Sequence, residues 1–212
     1  MEVYIVIFMI FISFVTLVGL IGNVIVIIVY AFDKNLKSST NHLFINLSAT
    51  DILIVLTCFP VALMDLINYG EWRLGEFICH MDYFMESLLT SVSSLTLISI
   101  SLERLYVTVF PLHVQIVKKK RTIFGILLSV WIISAVSSTP YLSYSTFRSE
   151  TFNGTKISYC FYSRSFGAKI YSSSCTSLLV FAPSLTDQKQ YSEITAHDQV
   201  LHLEIHSIQG MN

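Results

Sequence analysis

Asp51 is a carboxylate in the middle of an apolar run that extends from about Leu43 to Tyr69. On membrane-insertion scales a charge at such a depth costs about 2.5–3.5 kcal/mol, and such a group usually marks function. It needs a cation, a proton or hydrogen-bond donors, and Asn23 and Ser93 of neighbouring runs could take part. The residues favour two interpretations equally: a monovalent cation site, or a protonated carboxyl group that joins helices.

Glu86 lies about two helical turns inside the outer end of another apolar run, and Asp82 lies one turn nearer that end. A charge at the position of Glu86 should face a water-filled cavity rather than lipid. As a ligand contact it would favour a basic or amine-bearing ligand; an ion pair with a neighbouring helix is the equal alternative. Asp82 is expected to be solvated, and Asp65 could join the same outer cavity.

Glu103 and Arg104 stand side by side at the inner end of the run that holds Glu86. An arginine at the end of a span commonly keeps its stem in the apolar layer and its charged head in water. The other interpretation is a switch, in which the carboxylate holds the arginine and later releases it to a cytoplasmic partner. Taken without other context, the two residues favour the interfacial interpretation.

The sequence contains no pattern that indicates an enzyme. It has no nucleophile beside a base, no metal-ligand spacing and no phosphate-binding loop. His80 and His113 are predicted on opposite sides of the membrane, where they cannot share a metal. The net charge of −1 gives no indication of a nucleic-acid partner.

The composition indicates that lipid surrounds most of the chain. Of its 212 residues 53% are hydrophobic and 13% charged, whereas soluble domains carry about 25% charge. A spanning helix needs about 20 apolar residues, and the first run lacks the features of a signal peptide. We therefore predict an all-α integral membrane protein, with spans at about 3–32, 43–69, 79–110 and 123–142 and a weaker, shorter fifth candidate at 170–183.

Basic residues orient these spans. Lys34 and Lys37 follow the first span and the run Lys118–Arg121 follows the third, so both loops fall on one side, which the positive-inside rule makes the cytoplasm. The N-terminus and residues 70–78 and 143–169 are then outside.

Two features agree with this orientation. Asn153 begins a glycosylation sequon in the last outside segment, whereas the second sequon, at Asn46, lies within span two and should not be modified. Cys79 and Cys160 both lie outside, where a disulfide can persist. Residues 184–212 are polar and are predicted to form a disordered tail beyond the membrane domain, residues 1–183.

The ordered motifs resemble those of the rhodopsin-like (family 1) G-protein-coupled receptors. They extend across about residues 15–165 and comprise Gly22-Asn23, Asn46-Leu47-Ser48 with Asp51, Trp72-x-x-Gly75, Cys79, Glu103-Arg104-Leu105, Pro111-Leu112, Trp131 and Pro140. One match would be weak, but so many in order are specific. The Trp72 loop, the long second outside loop and Tyr83-Phe84 are similar to those of neuropeptide receptors.

The resemblance implies a role for each of several groups of residues. It implies a sodium pocket at Asp51, Ser93 and Asn23, a ligand cavity at Glu86, Asp82 and Tyr83, a G-protein switch at Glu103, Arg104 and Leu105, and a disulfide between Cys79 and Cys160. The implied partners are an extracellular peptide, a heterotrimeric G protein and membrane lipid. A sodium ion is the only cofactor that it suggests.

The sequence departs from the family's pattern in three places. Glu103 replaces an aspartate but keeps the carboxylate, and Leu105 replaces a tyrosine. Pro183 resembles the proline of span five, but no match to spans six and seven follows. We therefore expect the first four to five helices of a seven-transmembrane bundle, in a truncated form that does not signal.

Two functions follow from these expectations. The first is a receptor for a neuropeptide at the plasma membrane, with its N-terminus outside. The alternative is a non-signalling truncated isoform that forms dimers with full-length receptors. Such a form is expected to be retained in the endoplasmic reticulum.

Overall fold

The computed structural model describes residues 3–32, 39–109, 120–152, 155–163, 165, 167, 169 and 171–172. This part of the chain contains four helices that are long and apolar enough to cross a membrane: α1 Val3–Phe32, α2 Ser39–Ile67, α3 Gly75–Val109 and α4 Lys120–Tyr144. They confirm the four predicted membrane helices. The predicted tail, Asn153 and most of the fifth candidate lie outside the described residues.

Helix α1 is apolar around its whole circumference, which is typical of a membrane span. Its 30 residues correspond to a length of about 45 Å, more than the hydrocarbon thickness of a bilayer. None of its residues is buried within the part of the chain that the structure describes. At its inner end the Tyr30 hydroxyl lies 3.2 Å from Nε2 of His42 at the start of α2.

Helices α2, α3 and α4 pack around a core to which α3 contributes most. Its Leu89 and Val92 are almost completely buried. Small hydroxyl residues fill much of the remaining interface, and Thr50, Thr96, Ser134 and Ser138 have no exposed surface. Such residues allow membrane helices to approach closely and to form hydrogen bonds between them, as the hydroxyls of Ser87 on α3 and Ser138 on α4 do at 3.0 Å.

A β-hairpin follows α4 on the predicted outer side. Strands β1, Ser145–Phe152, and β2, Thr155–Tyr162, pair antiparallel, with Phe152 opposite Thr155. The spans by themselves did not predict this element within residues 143–169. The signal in the sequence was Asn153-Gly154, since Asn-Gly between two β-prone segments is a strong indication of a two-residue hairpin connection.

Candidate functional site

The loop between α2 and α3 is a compact turn held by backbone conformations that favour glycine. Gly70 and Gly75 have φ angles of 83° and 85°, which glycine adopts at little cost. The Trp72 indole donates to the Gly75 carbonyl at 2.7 Å, and its backbone N–H donates to the Ser158 carbonyl of β2 at 2.7 Å. These two hydrogen bonds fix the loop to the edge of the hairpin, which gives the Trp72-x-x-Gly75 motif a physical reason.

A disulfide joins the hairpin to the outer end of α3. Cys79 and Cys160 are bonded, with their Cα atoms 5.7 Å apart, which confirms the predicted pair. One turn into α3, the ring of His80 lies 2.5 Å from the Ser145 hydroxyl at the start of β1. Since that hydroxyl donates to the Leu142 carbonyl at 3.2 Å, Nδ1 of His80 is the donor. Both strands of the hairpin are therefore tied to the head of α3.

Of the three predicted ligand residues, Tyr83 contacts this hairpin. The ring centroid of Tyr83 is 6.0 Å from that of Tyr162 on β2. Asp82 is partly buried, and both Glu86 and Asp65 lie close enough for their charges to act on it. Glu86 is exposed on the surface of the described helices. The charges of Asp65 and Glu86 thus act on Asp82 at the outer end of α2 and α3. Asp82 is less solvated than expected from the sequence.

A cluster of tyrosines, which the sequence did not reveal, supports the other side of the hairpin. The rings of Tyr141 and Tyr144 on α4 lie 5.3 and 6.1 Å from the ring of Tyr162. Tyr171 lies 5.6 Å from Tyr141, and its hydroxyl donates to the Ser137 carbonyl. Tyr141 and Tyr144 are three positions apart, a spacing that places both on one face of a helix and that could have indicated the cluster.

Asp51 and Ser93, the first two residues of the predicted sodium pocket, are in contact. The Ser93 hydroxyl donates to Oδ1 of Asp51 at 3.1 Å, between α2 and α3. The third, Asn23, uses its side-chain amide to donate to the Gly19 carbonyl of its own helix at 3.0 Å. A carboxylate and a hydroxyl are oxygen donors of the kind that hard cations prefer, so the pair fits the predicted ion.

Asn46 joins three helices below that pair. Its amide nitrogen donates to the Thr96 hydroxyl on α3 at 2.9 Å, and its amide oxygen accepts from the Trp131 indole on α4 at 3.0 Å. The sequence had singled out Asn46 and Trp131 only as separate motif residues. The hydrogen bond between them explains both motif residues, because it satisfies the polar groups of the amide and the indole where water is absent.

The predicted switch residues lie at the inner end of α3. Glu103 is 6% exposed, whereas Arg104 is exposed and Leu105 is partly buried. The carboxylate and the guanidinium therefore meet different surroundings although they are adjacent in the chain. Among the residues that the structure describes, no group of three or more His, Cys, Asp or Glu side chains could hold a metal ion.

The described part of the chain is an apolar helical bundle whose outer hairpin is tied to α3 by a disulfide. A Glu-Arg pair lies at the inner end of the same helix. Together these features define a class of membrane receptor. Residues 22–188 match the family described as "7 transmembrane receptor (rhodopsin family)", and the chain belongs to this family. It is therefore a multi-pass membrane protein, as predicted.

Curated relatives of the chain include receptors for peptides. It is 33% identical over 120 residues to the QRFP-like peptide receptor of Branchiostoma floridae, 34% over 121 residues to the KiSS-1 receptor of Mus musculus, and 30% over 122 residues to neuropeptide receptor 22 of Caenorhabditis elegans. The aligned part is 57% of this chain and 31%, 30% and 28% of these relatives. The chain thus matches less than a third of each relative's length.

Proposed function

We propose that this protein acts in the recognition of an extracellular peptide, as a receptor that couples to a heterotrimeric G protein. The observation that carries the proposal is that the charges of Asp65 and Glu86 both act on Asp82 at the outer end of α2 and α3, the end where a disulfide ties the hairpin to α3. The names of the similar receptors support a peptide as ligand.

The charge of this group indicates the kind of peptide. Three carboxylates near one another at the outer end of α2 and α3 repel each other, and a cation placed among them relieves that repulsion. Glu86 lies deepest of the three from the outer end and is exposed to an incoming ligand. The ligand is therefore a peptide that presents an arginine, a lysine or a free amine to Glu86.

Glu86→Gln tests this assignment, because it keeps the shape of the side chain and removes its charge. We expect binding of a fluorescent basic peptide to the surface-expressed protein to weaken on the order of tenfold, equivalent to about 1.4 kcal/mol. Glu76→Gln is the matched control, since Glu76 is an exposed glutamate in the first turn of the same helix. Equal loss in both variants, or no loss in Glu86→Gln, would contradict the assignment.

We further propose that Asp51 and Ser93 bind a sodium ion that changes the affinity for the ligand. The support is their 3.1 Å contact between α2 and α3, because a cation held there would act on both helices at once. In Asp51→Asn, replacing sodium by potassium in the buffer should no longer change peptide affinity. Thr57→Val, on the exposed side of the same helix, should keep the sodium effect of the unaltered protein.

A second candidate function is association with another receptor in the membrane, without signalling. A groove of about 290 Å³ between α1 and α2 favours it, since its wall is almost entirely apolar and includes Val26, Val29 and Phe44. Co-expression with a full-length neuropeptide receptor should then lower that receptor's surface level and its G-protein response. Val29→Trp, which fills the groove, should cancel the effect, whereas Val18→Trp, on the exposed surface of the same helix, should not. A ligand-dependent G-protein response of the 212-residue chain expressed alone would contradict this candidate.

A further inference from the structure

A second groove lies at the outer end of the molecule, between the hairpin and the loop that follows α2. It has a volume of about 400 Å³. Residues of both strands and of that loop form its wall: Gly70, Arg148, Glu150, Tyr159, Cys160 and Phe161. Arg148 and Glu150 are exposed, and Tyr159 and Phe161 are 43% and 37% exposed. The groove therefore offers both charge and apolar surface on the predicted outer side.

The register of the hairpin places the charged and aromatic side chains of this groove on one face. Arg148 is opposite Tyr159 across the two strands. Because side chains two positions apart on a strand point to the same side, Glu150 and Phe161 share that face. The side chain of Cys160 points to the other face, which its disulfide ties to the head of α3. The Arg148 face is thus not the one that holds the hairpin to the bundle.

An aromatic ring, and not a carboxylate, orients the Arg148 guanidinium. Its Cζ atom lies 6.0 Å from the centroid of the Phe161 ring, which is at the limit of a cation–π contact. Within the described part of the chain no aspartate or glutamate forms an ion pair with Arg148, although Glu150 lies on the same face. The planar guanidinium of an arginine matches a carboxylate in geometry. Arg148 therefore keeps its donors for an acidic group from outside the chain.

The groove adjoins the outer ends of the two helices that hold the acidic residues. Gly70, in its wall, donates its backbone N–H to the Asp65 carbonyl at 2.9 Å at the end of α2. Cys160, also in the wall, is bonded to the head of α3, the helix that holds Asp82 and Glu86. A peptide whose basic group reaches these carboxylates would pass the groove with the part of its chain that remains outside the bundle.

We propose that this groove binds an acidic side chain of the same peptide ligand, in an ion pair with Arg148. The inference rests on the function proposed above and makes the ligand more specific: it carries a basic group for Glu86 and an acidic residue further out along its chain. Tyr159 and Phe161 pack against the apolar part of that outer segment. Arginine and tyrosine are among the residues that dominate binding free energy at interfaces, so Arg148 selects among basic peptides.

A library of fluorescent, C-terminally amidated peptides with one fixed arginine tests the proposal on the surface-expressed protein. Members whose binding Glu86→Gln weakens are those that reach Glu86. We expect these members to carry an aspartate or a glutamate at a constant distance from the arginine. Replacing that residue by its amide in the tightest binder should weaken binding to the unaltered protein on the order of tenfold, as for a close charge pair at an interface. The same replacement should have little effect on binding to Arg148→Gln.

Charge reversal adds a gain of binding to this loss. In Arg148→Glu, a peptide with lysine in place of the acidic residue should bind more tightly than the original peptide. Arg73→Gln is the matched control, because Arg73 is an exposed arginine of the loop between α2 and α3 that pairs with Glu71 at 2.9 Å. It should leave the preference for the acidic residue unchanged. Resistance of Cys79 and Cys160 to alkylation without reduction verifies that each variant is folded.

The results distinguish this inference from the function on which it rests. Members that depend on Glu86 but carry no acidic residue would overturn the role of Arg148 and leave the peptide receptor in place. So would an amide replacement that weakens binding equally in the unaltered protein and in Arg148→Gln, or a loss of the preference in Arg73→Gln. A library in which no member loses binding in Glu86→Gln would overturn both the acidic site and the Arg148 site.

Discussion

The Asn46 side chain joins three helices of the described bundle. It contacts Thr96 and Trp131 through its amide, and its backbone carbonyl accepts from the Thr50 hydroxyl at 2.7 Å. An amide can donate and accept at once, so a single asparagine satisfies an indole and a hydroxyl on two different helices. A leucine or a serine at this position could not do both.

Asn46→Ala should therefore destabilise the protein, because it leaves the Trp131 indole without its acceptor in an apolar layer. It also removes the donor to the Thr96 hydroxyl, which keeps its bond to the Val92 carbonyl. We expect a loss of about 1–3 kcal/mol, and membrane hydrogen bonds tend towards the lower end of that range. The measurement is thermal unfolding of the detergent-purified chain. Thr57→Ala is the control, since its hydroxyl bonds only to Leu53 of its own helix, and an equal loss there would contradict a special role for Asn46.

The hairpin is the element that shapes the outer end of the molecule. It is held at the Cys79–Cys160 disulfide, at the hydrogen bond from His80 to Ser145, and at the bond from the Trp72 backbone to Ser158. Because these attachments involve both strands and the preceding loop, the hairpin cannot pivot about one point. It therefore presents a fixed surface beside Tyr83 at the outer end of α3.

Cys79→Ser should loosen the hairpin and lower surface expression strongly, because loss of a native disulfide typically costs about 2–5 kcal/mol. Surface labelling of intact cells measures the effect. Cys58→Ser is the control, since Cys58 is a free cysteine in α2, and it should leave surface expression unchanged. Ready alkylation of both Cys79 and Cys160 in the unreduced, unaltered protein would show that the bond does not form in the cell.

The loops of the molecule are divided between the two sides of the membrane. Helices of 30, 29, 35 and 25 residues cross in alternation, so the loops with lysine after α1 and before α4 share one side. The disulfide, the Trp72 turn and the hairpin all lie on the opposite side of the membrane. This division places the proposed peptide site at the outer end of the bundle.

Glycosylation reports this orientation directly. We expect Asn153, outside the described residues but between the two strands, to carry a glycan, since it lies on the outer side. Asn153→Gln should abolish the shift in gel mobility that a glycan-removing enzyme produces. The sequon at Asn46 is the internal control, because it lies within α2 and should remain unmodified. A remaining shift in Asn153→Gln would contradict the orientation.

The sequence by itself determined the membrane helices, the family and the disulfide. A bilayer requires long apolar runs with internally satisfied backbones, so the boundaries at Val3, Phe32 and Val109 follow closely from composition. The family's motifs stand at fixed intervals along the chain, and the pairing of Cys79 with Cys160 came with them. None of these features requires a knowledge of how the helices rotate against one another.

Only the tertiary structure decided which side chains meet. The contact of Asn46 with Trp131 spans 85 positions, and that of Tyr83 with Tyr162 joins a helix to a strand. Such contacts depend on helix rotation and on the register of the hairpin, which close packing sets across the whole bundle.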